Sequence, residues 1–275
     1  MHTQTILRAV SYAREFALPS NVSVTLFDDK ANGQQAGIAA RQIIAFGPDR
    51  IVGHFASAAA KAAITIYRET PIPLILPAAT HSRLTDERFV YRICCSDTAY
   101  CEWLAKAIGC PVAKIVSDGS VHGESIRSGL SKILSINRRS EIEVFSGFYE
   151  DSISYAVRSN ARIVVLTDDA DARSLYDDLT AAGFDWSMRT VLVGAIRARL
   201  YGEDAGRIMK AHTEREGFPP GAYFWEAIAA LQAAARPELA CGISIDTVLG
   251  PITFDEHGES GLADFALDVV SGISA

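Results

Sequence analysis

Residues 51–57 read Ile51-Val52-Gly53-His54-Phe55-Ala56-Ser57, and residues 74–80 read Leu74-Ile75-Leu76-Pro77-Ala78-Ala79-Thr80. Each is a short apolar run that stops at a glycine or proline and then turns toward a hydroxyl. Such a run, bounded by breakers, reads as a strand buried on both faces. Between the two, residues 58–69 carry helical spacing, with Ser57 placed to cap that helix through its side chain. Strand, helix, strand is the unit of a parallel α/β sheet. In open sheets of this kind ligands lie outside the carboxyl ends of strands, where helix N-termini offer free amides. Ser57 and Thr80, on consecutive turns, therefore make a candidate seat for a carboxylate. Either hydroxyl alone would be read as a local cap.

The same alternation extends outward in both directions. Upstream, the pattern predicts a helix through Ile6, Val10, Ala13 and Ala17, a strand over 22–27 and a helix over 34–46. Downstream come a strand over 90–93, a helix over 100–108, a strand over 114–116, a helix over 124–134 and a strand over 142–145. They are followed by a helix over 152–159, a strand over 163–166, a helix over 171–182 and a strand over 190–193. Residues 197–221 carry too many charges and breakers for assignment beyond a short helix near 204–210. A helix over 223–235 and a final strand over 265–270 complete the set. The fold class is α/β, with two doubly wound parallel-sheet lobes. The expected division is 1–96 plus 222–262 for an N-terminal lobe, and 97–221 plus 263–275 for a C-terminal lobe.

Composition limits what such a chain does. It has 275 residues, 26 basic and 33 acidic, for a formal charge of −7, and 49% of its residues are hydrophobic. Disorder is excluded, since that needs low hydrophobicity and high charge. A sequence pI near 5.4 argues against nucleic acid, whose phosphates call for excess Lys and Arg. No run of about 18 apolar residues is present to span a bilayer, and no signal peptide is visible at the N-terminus. Cys94, Cys95, Cys101, Cys110 and Cys241 show no metal spacing, and suit buried thiols or at most one or two bridges. There is no P-loop, no Gly-x-Ser-x-Gly elbow and no His-Glu-x-x-His pair. The six histidines are scattered. No catalytic set, cofactor or metal site is expected. The acidic group Asp168-Asp169-Ala170-Asp171 reads as complementing the dipole of a following helix, in preference to a magnesium site.

A third strand-to-helix turn, Ser117-Asp118-Gly119-Ser120-Val121-His122-Gly123-Glu124, stands in the second half. With it, a longer ordered set emerges: Ile51-Val52-Gly53-His54 with Ser57, Leu74 to Thr80, Leu84-Thr85, Asp118 with Gly123-Glu124, Gly221-Ala222-Tyr223-Phe224-Trp225, and Gly250-Pro251-Ile252-Thr253-Phe254-Asp255. This set resembles the leucine/isoleucine/valine-binding proteins of ABC importers, the type I periplasmic solute-binding family. The resemblance implies a non-enzymatic protein that closes two lobes on an amino acid or small organic acid. Its implied partners are that ligand and, if the chain is exported, ABC permease subunits.

The resemblance also implies site residues. Ser57, Ala78 and Thr80 match the first-lobe clamp: a hydroxyl, a backbone carbonyl, and a hydroxyl with its amide. Tyr223 matches an aromatic that packs on the ligand. His122 stands where the family has a tyrosine, and Asp168 falls near another. The family's ammonium-pairing glutamate falls at Ile196, beside Arg197, so that partner must lie elsewhere or the ligand lacks an amine. Ala31 and Ala56 replace a disulfide of relatives. The chain starts at the family's first helix, so the preceding central strand, its glycine-serine ligand loop and a signal peptide are expected to be missing. Localisation is periplasmic by resemblance. A cytosolic ligand sensor on the same fold, or a truncated non-binding paralogue, are the alternatives.

Overall fold

A computed structural model describes residues 2–172, 174–221, 223–262 and 264–271. In chain order its helices are α1 (His2–Phe16), α2 (Gly33–Phe46), α3 (Ser57–Tyr67), α4 (Asp97–Ile108), α5 (Val121–Ile133), α6 (Tyr149–Arg158), α7 (Leu175–Ala181), α8 (Gly202–Glu216) and α9 (Phe224–Ala234). Its strands are β1 (Ile51–Val52), β2 (Leu74–Leu76), β3 (Val90–Arg92), β4 (Lys114–Ser117), β5 (Ile142–Ser146), β6 (Ile163–Leu166), β7 (Thr190–Arg197), β8 (Ser244–Thr247), β9 (Gly250–Thr253) and β10 (Asp264–Val269). They fall into two compact units. Unit 1 is Met1–Ser96 with Ala198–Leu262, and unit 2 is Asp97–Arg197 with Ala263–Ala275.

Unit 1 is built on a parallel sheet of order β1-β2-β3, with Ile51 opposite Leu74 and Leu74 opposite Val90. All three β2 side chains are fully buried, as a strand covered on both faces requires. Alternation sends them to two cores. Ile75 joins Ala9, Tyr12 and Ala13 of α1 and Phe224 and Ile228 of α9. Leu74 and Leu76 join Ala36 and Ala40 of α2 and Ala59, Ala60 and Ala63 of α3. The alanines let these two helices pack closely. Asn32 caps α2 by accepting from the amides of Gln34 and Gln35, and Gly47, at φ 71°, ends it in the left-handed region. The hairpin β8–β9, absent from the sequence expectations, completes the unit.

Two expectations for unit 1 change. Residues 22–27, expected as a strand, are not paired in any sheet. A strand exists through its ladder, and among the described residues no strand precedes β1 to supply one. Residues 198–221, set with the second lobe in the sequence reading, stand in unit 1. The short helix expected near 204–210 is the fifteen-residue α8, which buries Ala205 and Ile208 in the α1–α9 core. That apolar stripe was hidden by the helix's charged remainder.

Unit 2 carries a five-stranded sheet of order β10-β7-β6-β5-β4, parallel except for β10, which runs antiparallel to β7. Val144 of β5 and Val164, Val165 and Leu166 of β6 are all buried, as strands covered on both faces require. Tyr100 of α4 donates to the carbonyl of Gly194 in β7 at 2.7 Å. A Cβ at that glycine would stand 2.6 Å from the same hydroxyl, so the position is closed to larger residues. None of the five cysteines is in a disulfide, and Cys94, Cys95 and Cys101 are buried. No helix among the described residues is long and apolar enough to cross a membrane.

Candidate functional site

In unit 1 the turns after β1 and β2 come together. Ser57 is the first residue of α3, and the N-cap position belongs to Ala56, which makes no side-chain bond. The expected capping role of Ser57 is therefore corrected. Its hydroxyl instead accepts from the amide of His81 at 3.3 Å, tying the two strand-end turns together. Ala78 and Thr80 lie on the second turn and are buried.

The second turn is held from below by Arg92, whose side chain is wholly buried on β3. Its Nη1 donates to the carbonyls of His81 at 2.8 Å and Ala79 at 3.4 Å. Its Nε donates to Glu259 at 2.9 Å and its Nη2 to the other Glu259 oxygen. Glu259 also accepts from the Thr85 hydroxyl at 2.7 Å. A buried guanidinium needs this pairing, and its remaining donors are what fix the loop carrying Thr80. The first turn is held likewise. Buried His54 contacts Asp29 through Nδ1 at 2.5 Å and the Tyr67 hydroxyl through Nε2 at 3.3 Å. Burial alone would raise the Asp29 carboxyl, but His54 and the Ala31 amide hold it below its ordinary value.

Tyr223 stands at the N-cap of α9 with φ 60°. A non-glycine residue in the left-handed region costs of order 1–3 kcal/mol and persists only where its surroundings fix it. Its neighbour Ala222 lies outside the described residues.

Unit 2 gathers a second constellation at the carboxyl ends of β4 and β6. Asp118 accepts from the amides of Ser120 and Phe148, each at 2.8 Å, which closes the turn after β4. Gly147 has no room for a side chain, since a Cβ would stand 2.6 Å from the Asp118 carboxyl carbon. Ser120 caps α5 by accepting from the amide of Gly123, so capping is not the task of His122. The imidazole of His122 is surrounded by acids instead. Its Nδ1 is 3.7 Å from Asp97, and its Nε2 is 3.5 Å from Asp168 and 4.0 Å from Asp169. Burial alone would lower its pKa, but Asp168, Asp169 and Asp97 push it up to about 10. Asp169 is raised above the carboxylate range, by burial first and then by Asp168.

This arrangement corrects the reading of the acidic group as helix-dipole partners. Residues Asp168–Ala170 form a separate 3₁₀ turn, and α7 starts only at Leu175. Asp171 pairs with Arg197 at 2.5 Å, and Arg197 also pairs with Asp268. Ile196, at the place of the family's ammonium partner, sits on β7 opposite Phe265.

Of the expected residues, then, Ser57, Ala78 and Thr80 share one loop pair, and His122 and Asp168 share one cluster. Arg92, Glu259 and Asp97 were missed as site residues, and Asp169 was weighed only as a member of the acidic group. Arg92 had a signal: a lone charge in the apolar strand Val90-Tyr91-Arg92-Ile93 has to be paired.

Two units of mainly parallel α/β structure, exchanging chain segments in this order, define the type I periplasmic-binding-protein fold. In sequence the chain is similar to the Leu/Ile/Val/Thr-binding protein of Salmonella typhimurium, 24% identical over 277 residues, covering 85% of this chain and 75% of that one. In structure it is similar to the leucine-binding protein LivK of Thermotoga maritima, with a TM-score of 0.72 at 17% identity, over 97% of this chain and 93% of that one. It is also similar to an ABC-transporter solute-binding protein of Rhodopseudomonas palustris in complex with 3,4-dihydroxybenzoic acid. There the TM-score is 0.70 at 15% identity, over 97% and 87% of the two chains. No protein-family model matches the chain.

Proposed function

We propose that this chain is the solute-binding protein of an ABC importer of the branched-chain amino-acid type, taking an amino acid or small organic acid by its carboxylate. The observation that carries this reading is the loop pair of unit 1. There Ser57 and Thr80 bring hydroxyls, and Ala78 a carbonyl, to adjacent strand ends braced by Arg92. In this reading Ser57 and Thr80 donate to the ligand's carboxylate, and Ala78 accepts from an amine where the ligand has one. Tyr223 packs on its body, and His122 and Asp168 of unit 2 meet its polar end. The name of a solved relative, an ABC-transporter solute-binding protein, supports transport over catalysis; permease subunits as partners and the periplasm as the place of work belong to the same proposal.

The test is a thermal-shift and calorimetric screen of leucine, isoleucine, threonine, their keto acids and aromatic acids. At one hundred times its dissociation constant, a bound ligand adds about 2.7 kcal/mol of stability. Thr80→Val keeps the shape and removes a donor to a charged group. It should cost about 1.5–3 kcal/mol of binding, roughly ten- to a hundredfold, with fold stability unchanged. A screen without a hit, or full affinity in Thr80→Val, would refute the clamp.

A further inference from the structure

The acidic cluster of unit 2 is under-compensated. Among the described residues, Asp97, Asp168 and Asp169 have one ion-pair partner between them, His122. The side chains of Asp97 and Asp168 are 6% and 7% exposed. Three of the buried atoms, Asp97 Oδ1, His122 Nε2 and Asp168 Oδ1, make no hydrogen bond. At 3.5 to 4.0 Å the imidazole is too far from the carboxylates for ordinary hydrogen bonds. Buried polar atoms of this kind are normally satisfied, and His122 Nε2 facing Asp168 Oδ1 with neither hydrogen-bonded calls for an occupant between them.

The donor set identifies its chemistry. His122 Nε2 and one oxygen each of Asp168 and Asp169 lie within 4.8 Å of one another. Nitrogen and carboxylate donors bind a borderline cation at about 2.0–2.2 Å, which places neighbouring donors roughly 3–3.5 Å apart. Small torsional adjustments of half-buried Asp169 close that difference. Asp97 faces the opposite ring nitrogen, with its other oxygen accepting from Ser125 at 2.6 Å. A carboxylate behind a histidine in this way fixes the ring and its tautomer for a metal in front.

We propose that His122, Asp168 and Asp169 form a site for one divalent cation, Zn²⁺ or Mn²⁺, with Asp97 as the positioning residue behind the imidazole. The mixed imidazole and carboxylate donors favour these ions over Ca²⁺ or Mg²⁺, which prefer oxygen alone. Binding requires neutral imidazole, so the imidazolium proton leaves to solvent as the cation enters. The site differs from the sequence expectation of no metal because its donors come from two separate turns, those after β4 and β6. It stands on unit 2 alone and needs no organic ligand. A cation and a ligand's ammonium would be alternative partners of Asp168.

The experiment is calorimetric titration of the EDTA-stripped full chain with ZnCl₂ and MnCl₂, without organic ligand, in buffers of different ionisation enthalpy. The expected result is one equivalent bound with proton release. Affinity should fall at least tenfold in Asp168→Asn and in His122→Gln, and by a similar factor in Asp97→Asn. Far-ultraviolet circular dichroism confirms that each variant is folded, and Asp169→Asn serves if one is not. Cobalt substitution separates this site from the exposed thiols of Cys110 and Cys241. An oxygen and nitrogen site lacks the intense near-ultraviolet thiolate band. No binding, unchanged affinity in the folded variants, or a thiolate band lost in Cys110→Ser or Cys241→Ser would overturn the proposal.

Discussion

Replacing Arg92 with methionine tests whether the buried guanidinium is the brace of unit 1. Methionine preserves much of the length and apolar stem, so the change isolates the charge and its donors. Three acceptors lose a donor: the Glu259 carboxylate and the carbonyls of Ala79 and His81. Removing one partner of a buried ion pair typically costs about 3–5 kcal/mol, because the other charge is stranded. Glu259 is 27% exposed and keeps the Thr85 hydroxyl, which favours the lower end of that range. The two carbonyls add about 1 kcal/mol each if water does not reach them. At a urea slope of about 2–3 kcal/mol/M, the midpoint of unit 1 should therefore fall by roughly 1–2 M. The assay is urea unfolding followed by the fluorescence of Trp225, which lies in the α1–α9 core, with Trp103 and Trp186 of unit 2 replaced by phenylalanine. Glu259→Gln, which retains an acceptor, should cost less. A midpoint shift under about 0.3 M in Arg92→Met would show that the guanidinium is dispensable, and the reasoning from burial would fail.

Two further outcomes follow from unit 2. In metal-free protein, Asp168→Asn removes a charge that a ligand's ammonium would meet. Leucine should then weaken by roughly tenfold while its keto acid does not, and equal effects on both would place the amine elsewhere. The second concerns alkaline pH. The folded pKa of His122, raised to about 10, lies above its ordinary value near 6.5. Its stabilising contribution is complete below the lower value and is lost as pH rises toward the higher one. Scanning calorimetry between pH 7 and 10 should show unit 2 losing stability more steeply in wild type than in His122→Gln, and parallel curves would contradict the charge assignment.

What could be read from the residues was governed by locality. The buried strands β2 and β6 are continuous apolar runs, so Leu74–Leu76 and Ile163–Leu166 were legible without tertiary knowledge. That Ser57, Ala78 and Thr80 stand on strand-end turns was legible for a related reason, since the breakers after β1 and β2 mark those turns. Residues 22–27 failed because strand character there depends on a neighbour, and local propensity does not reveal whether one is present. Helix α8 failed for the opposite reason, since only Ala205, Ile208 and His212 are buried and its charged face dominates the pattern. The acidic cluster was read as helix chemistry because Asp168 and Asp169 are adjacent in sequence. Their partners, Asp97 and His122, lie 71 and 46 positions before Asp168, and only the sheet order brings them within reach.

The two constellations also differ in what they are able to discriminate. Hydroxyls and backbone groups on braced turns recognise a carboxylate whatever it is attached to, so on the proposed reading the unit 1 loop pair would accept a class of ligand. Selection within that class has to come from groups whose cost depends on the ligand's other end. His122, Asp168 and Ile196, by resemblance, all depart from the family at such positions, two by gaining a charge and one by losing it. A buried carboxylate left without a cation costs several kcal/mol, which exceeds what one added methylene in an apolar pocket contributes. Charge at the ligand's second polar group should therefore dominate over side-chain size in this protein's preference. Ranking leucine, its keto acid and a shorter homologue of each by calorimetry checks this: amine presence should separate affinities more than chain length does. The reverse order would show that the acidic cluster does not meet the ligand at all.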